Sequence, residues 1–179
     1  MRNEGLVLNT PAKYDNMNRS VRTFMEEALA EAEKAAAMGE VPVGAVIVQN
    51  DQIIARGHNR TETDRDPTAH AEMIAIRQAA KALGGWRLPN CTMYVTLEPC
   101  SMCAGAIVWS RIERLVIGTE DPKAGACGSV FNIPQDGRLN HRVEVERGLM
   151  REECSALMRS FFRDLRTQHK KTKSEDVQE

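Results

Sequence analysis

His70-Ala71-Glu72 and, further along, Pro99-Cys100-Ser101-Met102-Cys103 are the two stretches around which the chain is organised. One imidazole and two thiolates can hold a zinc ion and leave its fourth position to water, and a carboxylate two residues from the imidazole can move protons there. The spacing carries the argument. Cys100 and Cys103 stand at i and i+3, so a helix opened by Pro99 sends both sulfurs from one face towards one metal. His70 and Glu72, two residues apart on a helix, do not share a face, so with the imidazole on zinc the carboxylate is aimed elsewhere in the pocket and stays free to act as acid and base. The His-Glu-x-x-His pattern, in which one helix carries both ligands of a zinc protease, is absent.

Composition bounds what surrounds such a site. With 179 residues, 42% hydrophobic and 27% charged, the chain fits one globular domain with a full core. Its five cysteines, Cys91, Cys100, Cys103, Cys127 and Cys154, are odd in number and their spacing shows no disulfide framework, which favours a reducing cytoplasm. Met1 to Arg22 mixes Arg2, Glu4, Lys13 and Asp15 with no apolar run long enough for a signal peptide or a membrane span, and reads as a mobile extension. A formal net charge of −1 argues against an overall polyanion trap. The stretch from Arg138 to Lys173 is locally basic, with Arg142, Arg147, Arg151, Arg159, Arg163, Arg166, Lys170 and Lys171. It suits a phosphate-lined partner, or else is a solvated helix face balanced elsewhere.

In chain order, Thr23 and Glu26 form a capping-box pattern, and Phe24, Ala28, Leu29, Ala32 and Ala36 recur at helical spacing until Gly39. Val43 to Val48, the turn signal Asn50-Asp51 and Gln52 to Arg56 predict a hairpin. After a polar loop, Thr68 or Asp66 is placed to cap a helix from about Ala69 to Gly84-Gly85. Cys91 to Leu97 reads as a strand leading into a helix that persists to about Ser110, and Leu115 to Ile117 and Val143 to Val145 as short strands. Gly118 to Gly128 is a loop, Glu152 to Gln168 a helix, and Lys170 to Glu179 a fraying tail. The order αββαβαβ with a closing helix points to an α/β domain, a mixed sheet packed between helices, in which positive helix ends face the metal site.

His-x-Glu followed by Pro-Cys-x-x-Cys resembles the signature of the zinc-dependent cytidine deaminase superfamily. The wider sequence is similar to the bacterial tRNA-specific adenosine deaminases through Val41 to Val46, His58-Asn59-Arg60, Asp66 to Arg77, Tyr94 to Ile107, Gly118 to Ser129 and Asn140 to Val145, so that the resemblance spans roughly Phe24 to Arg166. It implies a three-layer α/β/α cytidine deaminase-like fold with a mixed central sheet of about five strands. It also implies a zinc deaminase domain over 23–169, a mobile extension over 1–22 and a flexible tail over 170–179.

The same resemblance implies one zinc per chain held by His70, Cys100 and Cys103, with Glu72 as the catalytic proton shuttle. The activity it implies is hydrolysis of adenosine to inosine at the first, wobble position of a tRNA anticodon loop, in a cytoplasmic homodimer that does not enter a membrane. Asn59, Asp121, Phe162 and Arg163 match its substrate-side positions. Asn59 also has a plainer reading as a loop residue after a hairpin, and beside them Phe161 fits the apolar helix face as core while Phe162 is the candidate for an exposed stacking contact. Trp86 and Trp109 fit core or interface, and Ile107-Val108-Trp109 could supply part of a dimer surface. His58 and His169 are expected in solvent, and His141 follows the pattern without a role. Two rivals share these residues. A guanine-deaminase-like enzyme would use the same ligands on a free base, and a closed structural zinc module would recruit Cys91 or Cys127 as a fourth ligand and leave Glu72 unexplained.

Overall fold

The hairpin forms where it is expected, and the rest of the sheet is built outward from it. In the computed structural model the backbone is described for residues 11–175 and side chains for residues 21–168. Strands β1 (Gly44–Gln49) and β2 (Gln52–His58) pair antiparallel with Gln49 opposite Gln52. The two residues between them, Asn50 and Asp51, both take positive φ (50° and 58°), as a two-residue turn matched to strand twist requires. β1 also pairs antiparallel with β3 (Cys91–Leu97), while β3, β4 (Arg114–Thr119) and β5 (Glu144–Arg147) run parallel. The five-stranded mixed sheet has the order β2-β1-β3-β4-β5.

Helices cover both faces, which is why β1 is an unbroken buried run rather than an alternating one. Ala45, Ile47, Met93, Val95, Leu115 and Ile117 point into one apolar cluster, shared with α3 (Ala71–Leu83) and α4 (Ser101–Trp109). Val46, Val48, Tyr94 and Val116 point the other way, against Phe24, Met25 and Ala28 of α1 (Pro11–Ala37) and Cys154 of α5 (Arg151–Glu175). Each fully buried Ile or Met in these layers contributes roughly 2 kcal/mol of transfer free energy. α2 (Thr61–Asp64) is a single helical turn in the polar loop after β2, closed by Arg65 at positive φ.

Four helix boundaries differ from the sequence expectation; one is α4, expected to open at Pro99, which begins at Ser101 with Cys100 as its extended N-cap. α1 starts at Pro11 rather than Thr23, because a proline is favourable at the first helical position and no Gly or Pro interrupts residues 12–37. Thr23 therefore lies inside the helix on its exposed side, and the capping-box pattern does not mark an end. α3 begins at Ala71 with His70 as its N-cap residue, while Asp66 Oδ1 instead accepts the Thr68 N–H and hydroxyl in a local turn. α5 continues to Glu175, past the expected end at Gln168; residues 1–10 and 176–179 lie outside the described residues.

Close backbone approach sets the helix carrying His70 on the sheet. A Cβ on Gly57 of β2 would lie 2.2 Å from the Ala71 carbonyl oxygen and 2.9 Å from the Ala75 nitrogen. Since the obstacle is backbone, no rotamer change relieves it, and Gly57→Ala is expected to cost more than about 3 kcal/mol. Urea unfolding checks this through the midpoint. A midpoint equal to wild type would mean that α3 does not sit that close to β2.

Candidate metal centre and substrate cavity

The two ligand stretches meet because each ends a strand-to-helix transition on the same side of the sheet. His70 is the N-cap of α3 and Cys100 the N-cap of α4, both with extended backbone and neither using its side chain as a cap. Their side chains are thus free, and Cys103 comes from the first turn of α4. The α3 start is capped from a distance instead: Asn59 Oδ1 accepts the Ala71 N–H at 3.0 Å. Two positive helix ends therefore face the cluster, which favours thiolates there.

His70 Nδ1 lies 3.7 Å from Cys100 Sγ and 3.5 Å from Cys103 Sγ. The three ligating atoms fall within 4.8 Å of one another, and among the described residues this is the His/Cys/Asp/Glu cluster suited to a metal. With zinc bonds of about 2.0 Å to nitrogen and about 2.3 Å to sulfur, a tetrahedral angle separates the two atoms by about 3.5 Å, so the residues fit the ion. Neither Cys91 nor Cys127 belongs to the cluster, and both thiols are pushed up by burial, Cys91 to about 11. Hydrogen bonding from Cys103, with a further contribution from His70, pulls the Cys100 thiol down to about 4. His70 is raised by the same Cys100 contact, and Cys103 is pushed up by its hydrogen bond to Cys100 and by burial. Metal binding displaces such protons, so ligation and protonation compete here.

Glu72, one residue beyond the N-terminus of α3, is 3% exposed. Burial drives its carboxyl above the usual carboxylate range, against the opposing pull of its own backbone N–H and of His70. Its Oε2 is a buried oxygen without a hydrogen-bond partner among the described residues. A water or hydroxyl held at the open position of a three-ligand metal would satisfy that orphaned oxygen, which is a second point of fit.

Above the cluster opens a cavity of about 530 Å³, in the size range of small-molecule sites. His70, Glu72 and Cys100 form its floor, with Val41, Val43 and Leu97 as apolar walls and Phe161, Phe162 and Leu165 of α5 at one side. Among the described residues its lining contains Glu40, Glu62, Glu72, Glu98 and Asp121 and no Lys or Arg, so the interior suits a neutral ring better than a phosphate.

Of the expected substrate-side residues, Asn59, Asp121 and Phe162 line this cavity. Asn59 is buried, and because its Oδ1 is spent on α3, the amide NH2 is what it has to offer a ligand. Phe161, expected in the core, is half-buried and stacks edge-on against Phe162 in the cavity wall. Arg163 is not in the lining; it is exposed on α5 and donates to Ser160 Oγ. Of the basic section, Arg147 turns inward onto the Cys127 carbonyl and Arg151 pairs with Glu120, so part of that charge is structural.

Other expectations are corrected. His58 is not in solvent but half-buried, its Nδ1 at 2.8 Å from Glu31 Oε2, because β2 lies along α1. The His169 side chain lies outside the described residues. His141 Nε2 contacts the Ile112 carbonyl oxygen at 2.7 Å, a structural role. Trp86 and Trp109 are both exposed, 52% and 69%, which removes the core reading for each; Trp86 carries the Arg87 guanidinium over its ring.

Three buried acids escaped the sequence reading: Glu31, which holds His58, and two in the cavity lining, Glu98 and Glu40. Glu98 accepts from three backbone N–H groups of the 121–129 loop, and Glu40 accepts from the Thr63 N–H at 2.7 Å and the Glu62 N–H at 3.3 Å, capping α2. A signal existed for both: each is an acid directly beside an apolar run, Glu40 before Val41-Pro42-Val43 and Glu98 after Tyr94 to Leu97. For Glu40, burial alone would raise the carboxyl, but the hydrogen bonds from Thr63 and Glu62 outweigh it and hold it below the usual range. A lowered folded value contributes stability that is fully present above the unfolded value of about 4.3 and is lost as pH falls through the folded one. The melting temperature is therefore expected to drop from about pH 5 downward, and less steeply in Glu40→Gln. Parallel pH profiles for the two proteins would remove Glu40 from the account.

The sheet, the His-Cys-Cys cluster and the buried carboxylate beside it define a deaminase, and the family of MafB19-like deaminases matches residues 19–166. A tRNA-specific adenosine deaminase of Bacillus subtilis is 54% identical over 147 residues, covering 82% of this chain and 91% of the relative. One from Haemophilus influenzae is 51% identical over 148 residues, covering 82% and 86%. A protein solved in a study of A-to-I editing by tRNA:A34 deaminases at the wobble position is similar in structure, with TM-score 0.73 and 47% identity over 75% of this chain and 98% of that one. A guanine deaminase from Nitrosomonas europaea shares the fold at TM-score 0.70 and 25% identity, over 90% and 98%. The chain belongs to the tRNA-specific adenosine deaminases.

Proposed function

We propose that this protein hydrolytically deaminates adenosine to inosine at the first anticodon position of a tRNA. The observation that carries the reading is Glu72, buried with an oxygen unpartnered among the described residues, beside His70, Cys100 and Cys103 on the floor of a cavity whose size and acidic lining suit a neutral base better than a phosphate. His70, Cys100 and Cys103 would hold one zinc per chain, which when bound supplies a Lewis acid that activates water at neutral pH. Glu72 would accept a proton from the attacking water and deliver it to ring N1, making C6 electrophilic; once the water oxygen has bonded to C6, Glu72 would take the proton of the new C6 hydroxyl and pass it to the amine, so that the C6–N bond breaks, ammonia leaves and the carbonyl of inosine remains. One carboxylate serves each proton movement. Its burial keeps bulk water from doing so at random.

The surrounding residues orient the base. The Asn59 amide donates to the base or its sugar, Phe162 offers a ring for stacking, and Asp121 borders the backbone of the flipped nucleotide. Arg163, outside the cavity, meets phosphate at the mouth. Because C6 of a stacked adenine cannot reach the floor, the target must be splayed out of a loop, which an anticodon loop permits.

Residues 23–169 form the deaminase domain in this reading; the extension expected over 1–22 and the tail expected over 170–179 are helical where they are described, since α1 reaches back to Pro11 and α5 on to Glu175. Among the described residues no helix is long and apolar enough to cross a membrane. Five unpaired cysteines suit the cytoplasm, where tRNA is found. Trp109, Val130 and Phe131 are large exposed apolar residues close to the cluster-bearing elements and suit a homodimer surface.

The test is incubation of zinc-loaded protein with a tRNA carrying adenosine at the first anticodon position, with free adenosine, guanine and cytidine in parallel. Inosine at that tRNA position alone is expected. Ammonia from a free base with the tRNA untouched would sink the RNA assignment and leave the deaminase chemistry standing.

A further inference from the structure

Glu98 stands between the last residue of β3 and the turn that bears Cys100, and its surroundings are unusual for a buried acid. It is 3% exposed, and among the described residues no Lys or Arg pairs with it. All of its acceptor capacity goes to one loop. Oε2 accepts the Asp121 N–H at 3.0 Å and the Ser129 hydroxyl, and Oε1 accepts the Cys127 N–H at 2.9 Å and the Ser129 N–H at 3.0 Å.

The turn on its other side is tied to the same loop. The Pro99 carbonyl accepts the Ala126 N–H at 2.8 Å, Cys100 forms a bridge with Gly125, and the Glu98 N–H reaches the Thr119 carbonyl at 2.8 Å. Gly125 has no room for a side chain, since its Cβ would lie 2.4 Å from Glu98 Cδ and 2.5 Å from the Asp121 carbonyl oxygen. The loop so gathered carries Asp121 and Ala124, which line the cavity. One carboxylate therefore spans the distance between a metal ligand and the cavity wall.

We propose that Glu98 is a positioning residue that locks the Cys100 turn to the Asp121–Ser129 loop, so that the metal site and the substrate wall are set together. The proposal rests on the deaminase reading above for the identity of the metal and the cavity's occupant. Burying a carboxylate without a cation is costly, and its four hydrogen bonds repay that only with the loop in place. If the loop loosens, the Cys100 turn loses the bonds that hold it, and both sites relax. Replacing Glu98 with glutamine turns one accepting oxygen into a donor that faces N–H groups, so the lock cannot close. Replacing Ser129, an exposed residue, with alanine removes one of the four bonds without disturbing the core.

The experiment compares zinc-loaded wild type, Glu98→Gln and Ser129→Ala for the rate of zinc release to a chromophoric chelator, for KM on whichever substrate wild type deaminates, and for melting temperature. Release at least about threefold faster in Ser129→Ala, with KM raised alongside it, is expected. The effect should reach about tenfold in Glu98→Gln. Ser129→Ala is the decisive variant should Glu98→Gln fail to fold. Release rate and KM at wild-type values in Ser129→Ala, whatever its melting temperature, would show Glu98 to be a stabiliser of the loop alone and overturn the proposal. A wild type that binds zinc but deaminates some other base would overturn the tRNA reading and leave the release comparison intact.

Discussion

Glu72→Ala is expected to lower the single-turnover rate of inosine formation by about 10⁴ or more, while the protein keeps its zinc and melts no lower than wild type. Proton transfer by one positioned group is typically worth about 10² to 10⁴, and here one carboxylate serves the water, the ring nitrogen and the leaving amine. The stability half of the expectation comes from the site itself. Glu72 is buried, its carboxyl is driven upward by desolvation, and its Oε2 has no hydrogen-bond partner among the described residues. Removing it leaves space that opens onto the cavity and deletes no hydrogen bond from that oxygen. Function and stability thus part company at this position, as they do where a fold keeps a polar group for chemistry. A variant with near wild-type turnover would refute the role of Glu72. A strong fall in melting temperature would place it in the scaffold instead.

Cys103→Ala is expected to reduce bound zinc from about one per chain to near zero and to abolish deamination with it. Its sulfur is fully buried and lies 3.5 Å from His70 Nδ1, so two ligands would remain where three are needed. Cys91→Ala and Cys127→Ala serve as the contrast. Both thiols are buried, yet neither belongs to the His70, Cys100 and Cys103 cluster, so both variants should retain the metal. Zinc counted by atomic absorption after exhaustive dialysis decides this. Loss of zinc in Cys127→Ala with retention in Cys103→Ala would revive the closed structural site and remove the open position on which hydrolysis depends.

The elements that could be read directly from the chain are those governed by local chemistry. Asn50-Asp51 announces its turn because few other residue types enter positive φ so readily, and Gly84 at φ 70° ends α3 for the same reason. The metal cluster was legible because Cys100 and Cys103 stand three residues apart across the start of α4, the first as its N-cap and the second in its first turn, and because His70 precedes α3 while Glu72 lies inside it, which separates ligand from base. What was hidden depends on contacts distant in sequence. The cap of α3 is Asn59, twelve residues back, rather than Asp66 or Thr68, since the N-cap position itself had to be given to a ligand. The loop-binding role of Glu98 requires knowing that residues 121–129 fold back on the Pro99 turn, some thirty residues away. The position of Arg163 depends on which way α5 turns its faces, and for the same reason Phe161, read as core, is in fact offered by the helix to the cavity.

The measurement closest to the central claim is the zinc X-ray absorption spectrum of the metal-loaded protein, because an open site and a closed one differ in what surrounds the ion. The account requires two sulfur neighbours at about 2.3 Å and two nitrogen or oxygen neighbours at about 2.0 Å, one of them exchangeable with added azide. Three sulfur neighbours, or a shell that azide leaves unchanged, would mean a site filled by the protein. Such a site has no position for the water on which Glu72 acts.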